Sequence, residues 1–486
     1  MISEAFIKTL ESTIPIFDRK KVPVGFRETI DLIFKDGFFI LDRERINILL
    51  SYWHLPPMEK PFFDYYFKKN VESIDEFESA VHHFIIDALW HFGDLERAYV
   101  HLSQVQDVEG FIKRHQFDIE ELKDRLPWRL VEFIAPEERG YLGYVSGQRP
   151  KQEQELLSFA EEVIKEIEDN RSKYDSVSKD EVTDQVLNKL SLKHPEIRNK
   201  IDEFNKLRSV PLDLFSSANL EATKEVLSNY KQKITQTIQT VEELKEIGKR
   251  NQEHYLRNIE SIDVYVATSM RNDEEYSEMY NFVTETFRND YLKELNLKYF
   301  DPTLCYCDSR IDKGIIECLL VRSTKVTIYC AQEGDTFGKD SELAATLAQG
   351  KPVIVYVPTA KDTDADIVKI TDLSERSRRL AEKTQKLDRR ASTFKDYHPL
   401  GLQVGLYDGV ARGVIVVRDP EQCAKILYRV LTNSLEVNIK FEHHGIVLRE
   451  KDTDSVVRVM TGWGTLASAF WNQFRKTQNP KSGLPD

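Results

Sequence analysis

Apolar residues recur at spacings of three and four through the first 150 positions, the period of an amphipathic helix. The runs 26–53 and 74–102 carry this pattern most clearly, and Pro56, Pro57 and Pro61 separate them. Trp53, Phe84, Trp90 and Tyr99 are the expected core of this helical region. Positions 151–258 are highly charged and helix-forming, with intermittent apolar stripes. Heptads are not sustained, so a connector packed on its neighbours is expected rather than a long coiled coil. Oligomerisation or sensing through this segment is the sharper alternative. At Ser261 the pattern changes: 262–269, "IDVYVATS", is a β-branched apolar run of the kind that forms a buried parallel strand. A helix is expected near 273–294, a strand at 297–302, a helix at 310–323 and a strand at 325–332. A helix near 339–350 and a strand at 351–358 follow. Further on, 411–419 reads as one strand and 420–433 as a helix with Pro420 in its first turn.

Strand alternating with helix across short loops predicts an α/β fold with a doubly wound parallel sheet, preceded by a mainly α-helical region. The expected organisation is a helical domain at 1–150, a charged helical connector at 151–260 and an α/β domain at 261–434. The α/β domain carries an insertion near 361–396, and C-terminal strands and a helix occupy 435–486.

Composition narrows the class. Hydrophobic residues make up 41% of the 486 positions and charged residues 31%, as in folded proteins and unlike disordered chains. No apolar run approaches the length of about 18 residues that a membrane span needs, and the N-terminus carries no secretory pattern. The five Cys all follow residue 300, which argues for a reducing cytoplasm rather than a disulfide framework. A net charge of −13 argues against a broad nucleic-acid surface.

In an open parallel sheet, ligands sit outside the carboxyl ends of the strands. After the first strand come Thr268, Ser269 and Arg271; Asn272 and Glu275 form a capping-box pair at a helix start able to hold a phosphate. After the second come Asp308 and Arg310, and after the third Asp335, Phe337, Asp340 and Glu342. Each loop taken singly is an ordinary polar loop, and their convergence on one edge is the signal. A carboxylate at 342, near the start of the third helix, is stabilised by the helix dipole and is expected to stay ionised. Metal binding is not expected. His82, His83 and His91 lack nearby Cys, Cys305 and Cys307 lack a second pair, and the acidic run 361–366 reads as a solvated loop. Cys318, Cys330 and Cys423 read as packing residues, and the arginines at 376, 378, 379, 389 and 390 as a solvated helix face.

From Val264 to Val357 the chain resembles the nucleoside 2-deoxyribosyltransferase family. The resemblance rests on the run Asp335 to Glu342, followed by Ala344 to Val353 with Gly350, Lys351 and Pro352. The placement of Glu342 before Leu343 is also similar to that in TIR domains that cleave NAD. The α/β unit at about 262–434 is therefore the part that looks like a nucleoside-deoxyribosyltransferase or TIR domain. The resemblance implies a hydrolase or transferase acting on the N-glycosidic bond of a nucleoside, nucleotide or NAD. Glu342 would be the carboxylate at C1′, and Asp335 or Asp340 would orient the sugar or protonate the base. Tyr265 and Phe337 would stack on a base, while Thr268, Ser269, Arg271, Asp308 and Arg310 would contact ribose or phosphate. Tyr265 reads equally as a core residue. No cofactor is expected. The appended helical half suggests a regulated, homo-oligomeric antiviral defence effector of bacteria. The alternatives are a non-catalytic nucleotide sensor and an interaction scaffold.

Overall fold

A computed structural model describes residues 58–67, 74–91, 107–126, 131–143 and most of 220–466, together with isolated positions elsewhere. Within the last span, 271–272, 334–336, 405–409, 443–444, 462 and 464 lie outside the described residues. The expectations on Trp53, Tyr99 and most of the connector 151–219 also fall outside them.

The N-terminal part is helical, with α1 (Lys60–Tyr66), α2 (Ile74–Ile86), α3 (Val108–His115), α4 (Ile119–Lys123) and α5 (Pro136–Gly143). Asp107 and Asp118 cap α3 and α4 by accepting from the amides of Gly110 (2.9 Å) and Glu121 (3.1 Å). A single 38-residue helix, α6 (Leu220–Arg257), leads into the sheet. At 1.5 Å per residue it is about 57 Å long. Its C-terminal turns are anchored by buried Val241, Leu244 and Tyr255.

After α6 the chain alternates as the sequence predicts. The elements are β1 (Val264–Ala267), α7 (Asp273–Phe287), β2 (Tyr299–Phe300), α8 (Arg310–Ser323), β3 (Val326–Cys330), α9 (Phe337–Ala348) and β4 (Val353–Tyr356). Next come α10 (Ala365–Val368), α11 (Leu373–Lys395), β5 (Leu402–Val404), β6 (Val410–Gly413), β7 (Ile415–Val417) and α12 (Pro420–Leu431). The chain then forms β8 (Val437–Glu442), β9 (Gly445–Glu450) and β10 (Val456–Thr461). A parallel sheet runs in the order β2-β1-β3-β4-β7. Alternate side chains face two different cores, as the two-residue period of a strand requires. Val264, Val266, Ile328 and Ile354 pack with α7 and α12, whereas Tyr265, Tyr329, Val353 and Val355 pack with α8, α9 and α11. The charged segment near 361–396 is thus helical cover for one sheet face, through Leu387, Ala391 and Phe394.

The run 411–419, expected as one strand, is divided between two sheets. β7 closes the parallel sheet, while β6 joins an antiparallel sheet ordered β5-β6-β10-β9-β8. Nothing in the side-chain pattern of 410–417 reveals the change of sheet. Gly413 marks it: a Cβ there would stand 1.8 Å from the carbonyl oxygen of Val456, so only glycine allows this approach. The N-terminal helices and the antiparallel sheet share one core, in which Phe62, Phe84, Ile85 and Leu89 lie with Ile446, Leu448 and Met460.

Asp263, fully buried at the entry to β1, holds these parts in register. Its carboxylate accepts from Arg125 (2.8 and 2.9 Å) and from the Lys298 amide (3.0 Å), and pairs with Lys325 at 3.0 Å. Its backbone carbonyl accepts from Lys325 and Val326, and its amide donates to Lys298. Asp263→Ala strands two cations and an amide at a buried site, so it should cost about 3–5 kcal/mol in urea unfolding. Arg125→Ala leaves Lys325 in place and should cost less. A loss below about 1 kcal/mol for Asp263→Ala would deny the carboxylate this role.

Candidate functional site

Glu342 occupies the second turn of α9 and is directed inward. Its carboxyl lies beside that of Glu317 on α8 and the hydroxyl of Tyr265 on β1, near enough for each to act on its ionisation. Lys313, one turn before Glu317, lies 3.7 Å from the Glu317 carboxylate. Each helix delivers its carboxyl by ordinary local rules. Ser309 caps α8 by accepting from the Asp312 amide at 3.2 Å. Leu320 and Val321 pin α8 to the sheet, and Leu343 and Leu347 pin α9. The strand period turns Tyr265 to the same face.

Burial pushes Glu342 up to about 8, and the neighbouring Glu317 adds to the rise; the Tyr265 hydroxyl and Lys313 oppose it. Burial raises Glu317 as well, with Lys313 opposing. Two neighbouring carboxyls away from water cannot both ionise cheaply, so loss of the second proton is pushed upward. The expectation of an ionised Glu342 at the helix start is therefore corrected. Desolvation and a second carboxylate outweigh a helix dipole worth about 0.3–1 kcal/mol.

The other predicted residues distribute as follows. The Ser269 hydroxyl (2.7 Å) and amide (3.0 Å) donate to the Gln332 side-chain carbonyl, and Gln332 Nε2 returns a bond to the Ser269 carbonyl at 2.8 Å. Thr268 reaches the same oxygen at 3.4 Å. This reciprocal clamp ties the loop after β1 to the loop after β3. Gln332 was not anticipated, because a Gln at a strand end carries no motif. Asp340 accepts from the Tyr329 hydroxyl at 2.5 Å. Asp308 is exposed and pairs with Lys249 of α6 at 2.7 Å. Arg310 is exposed at the start of α8. Neither joins the carboxyl pair. Arg271, Asp335 and the side chain of Phe337 lie outside the described residues, as does the cap at Asn272. Among the described residues, no group of His, Cys, Asp and Glu could hold a metal ion.

A cavity of about 630 Å³ opens at the carboxyl edge of the sheet, between α7, the loop after β4 and α11. Phe282 and Tyr356, stacked at 3.9 Å, contribute to its apolar wall. Lys383 pairs with Asp366 at 2.7 Å and Asp364 at 2.9 Å, and Arg379 pairs with Asp366 at 2.9 Å. The acidic loop and one arginine expected on a solvated face are thus turned into this cavity. Glu278 stands in its wall, open to water yet surrounded by protein. Burial pushes it up to about 7; Lys383 opposes, and Asp364 and Asp366 add to the rise. Neither Glu278 nor Lys383 belonged to the predicted site, since their proximity depends on α7 and α11, about 100 positions apart.

The cysteines divide differently from expectation. Cys330 and Cys423 are buried, but Cys318 is exposed, because it points away from the face of α8 that packs on the sheet. The chain matches no family model, no curated protein and no solved structure.

A raised carboxyl favours the folded state while protonated, so its contribution is full below about 4.5 and declines as the pH rises through about 8. Melting temperatures of wild type and Glu342→Gln, measured from pH 5 to 8.5, should therefore diverge in favour of the variant toward high pH. Parallel curves would mean that Glu342 titrates normally.

Proposed function

We propose that this chain cleaves an N-glycosidic bond of a nucleoside, nucleotide or NAD, with Glu342 and Glu317 acting as a pair. The observation that carries the reading is the buried pair of carboxyls, Glu317 and Glu342. It is packed beneath β1 in a parallel α/β sheet, with the Tyr265 hydroxyl beside one member. The resemblance of 264–357 to nucleoside deoxyribosyltransferases and NAD-cleaving TIR domains supports the same chemistry. The ionised member offsets positive charge at C1′ as the bond to the base nitrogen breaks. The protonated member donates to the departing base nitrogen, and water or another hydroxyl forms the new bond at C1′ and gives its proton to the ionised member. A nicotinamide leaving from NAD departs neutral and needs no proton, so for NAD the charge term alone would act. Thr268 and Ser269, clamped by Gln332, hold the adjoining loop in position. Among the described residues, no helix is long and apolar enough to cross a membrane. A cytoplasmic, homo-oligomeric effector regulated by its helical half, in bacterial antiviral defence, is the setting this reading suggests.

A second reading, nucleotide sensing without turnover, is supported by the cavity beside Glu278, whose walls combine aromatic and charged groups.

Purified protein incubated with NAD and a nucleoside and nucleotide panel, followed by chromatography, tests the choice. Glu342→Gln and Glu317→Gln should each lower turnover by about 10²–10³. Full activity in Glu342→Gln would move the site elsewhere, with Asp335 and Asp340 the next carboxylates to substitute. No turnover by wild type, together with ligand-induced stabilisation, would favour the sensor. Because the dyad works with one proton, wild-type turnover should decline as the pH rises through about 8. A rate still climbing at pH 9 would argue against a protonated acid.

A further inference from the structure

α8 is apolar on two opposite sides. Leu320 and Val321 face the sheet and are buried. On the outward side, Ile311, Ile315 and Leu319 are 75%, 55% and 42% exposed, with Cys318 exposed beside them. At about 100° per residue, these positions and Arg322 share one arc of the helix. Water therefore meets a continuous ridge of large aliphatic side chains on the most solvent-directed face of a regular helix. Scattered single apolar residues are normal on a surface, whereas a ridge with helical period marks an interface.

The charges along this ridge say which partner fits. Asp312 is exposed at its N-terminal end and Arg322 at its C-terminal end. A second α8 laid antiparallel, with Ile315 near the two-fold axis and Ile311 opposite Leu319, puts Asp312 of each copy about one helical turn from Arg322 of the other, within reach of the long Arg side chain. That is the self-complementarity an isologous contact requires. We propose that the outward face of α8 is a two-fold interface with a second copy of this chain. The 14-residue helix is about 21 Å long, so the contact falls below a standard interface of about 1,600 Å² and should be of micromolar strength. The inward side of the same helix carries Glu317, so assembly would brace the helix that holds half of the carboxyl pair.

Light scattering on the full chain from 1 to 100 μM, with reductant present so that Cys318 cannot cross-link, tests this contact. Wild type should be a dimer or an even multiple at the upper end. Ile315→Glu should raise the dissociation constant at least tenfold and lower the mass by a factor of two. At concentrations where both are monomeric, its melting temperature should match wild type, because the side chain is exposed in one copy. Asp312→Arg and Arg322→Asp should each weaken association, and the two together should restore it. A wild type that is monomeric at 100 μM would overturn the interface, as would a folded Ile315→Glu of unchanged mass. Failure of the double charge reversal to restore association would overturn the antiparallel arrangement.

Discussion

One buried carboxylate sets the frame of the α/β unit. Asp263 sits at the threshold of β1, where its side chain and backbone reach the residues preceding β2 and β3 and the guanidinium of Arg125. Three strands therefore begin at one level, and the N-terminal helices are tied to that level through Arg125. A buried carboxylate is tolerated only when its lone pairs are engaged, and here three groups engage them: Arg125, Lys325 and the Lys298 amide. Arg139 repeats the device nearby. Buried with Asp301, it donates to Asp301 (3.1 Å), to Thr303 (2.8 Å) and to the Ile134 carbonyl (2.9 Å). The helical half is thus fastened to the sheet by charge-assisted bonds of fixed direction as well as by apolar packing.

With the strand starts level, the helices that follow the strands must cover both faces of the sheet. That demand brings α8 against α9 on the face that holds Tyr265. Glu317 and Glu342 meet there in surroundings that make a doubly ionised pair expensive. Apolar residues at 317 and 342 would pack at lower electrostatic cost, so the pair is a local departure from what stability alone favours. Perturbed carboxyls of this kind concentrate at functional sites. The Gln332 clamp on Ser269 adds rigidity between the two loops that flank the β1–β3 boundary, where ligands bind in sheets of this order.

The antiparallel sheet shows how the remaining segments are joined. β5 and β6 leave the chain between α11 and β7, yet they pair with strands from beyond residue 436. Gly413 permits the crossing from one sheet to the other by letting the Val456 carbonyl approach. The N-terminal helices close over this second sheet, so residues from 58–122 and 446–460 share a core.

Periodicity made the parallel unit legible. The buried runs at 264–267, 326–330 and 353–356, the helices between them, and the position of Glu342 near the start of its helix are all local features. Short-range rules determine them. What the pattern of residues could not express was direction and distance: that Glu342 turns inward to Glu317, that Ser269 is held by Gln332, and that Lys383 meets Asp364 across the cavity. It also could not show that Ile311, Ile315 and Leu319 remain uncovered, because an apolar helix face looks the same whether the sheet or water lies beyond it. Those outcomes depend on which surfaces the close-packed sheet brings into contact. Burial and electrostatic cost are properties of that assembled neighbourhood and not of any one segment.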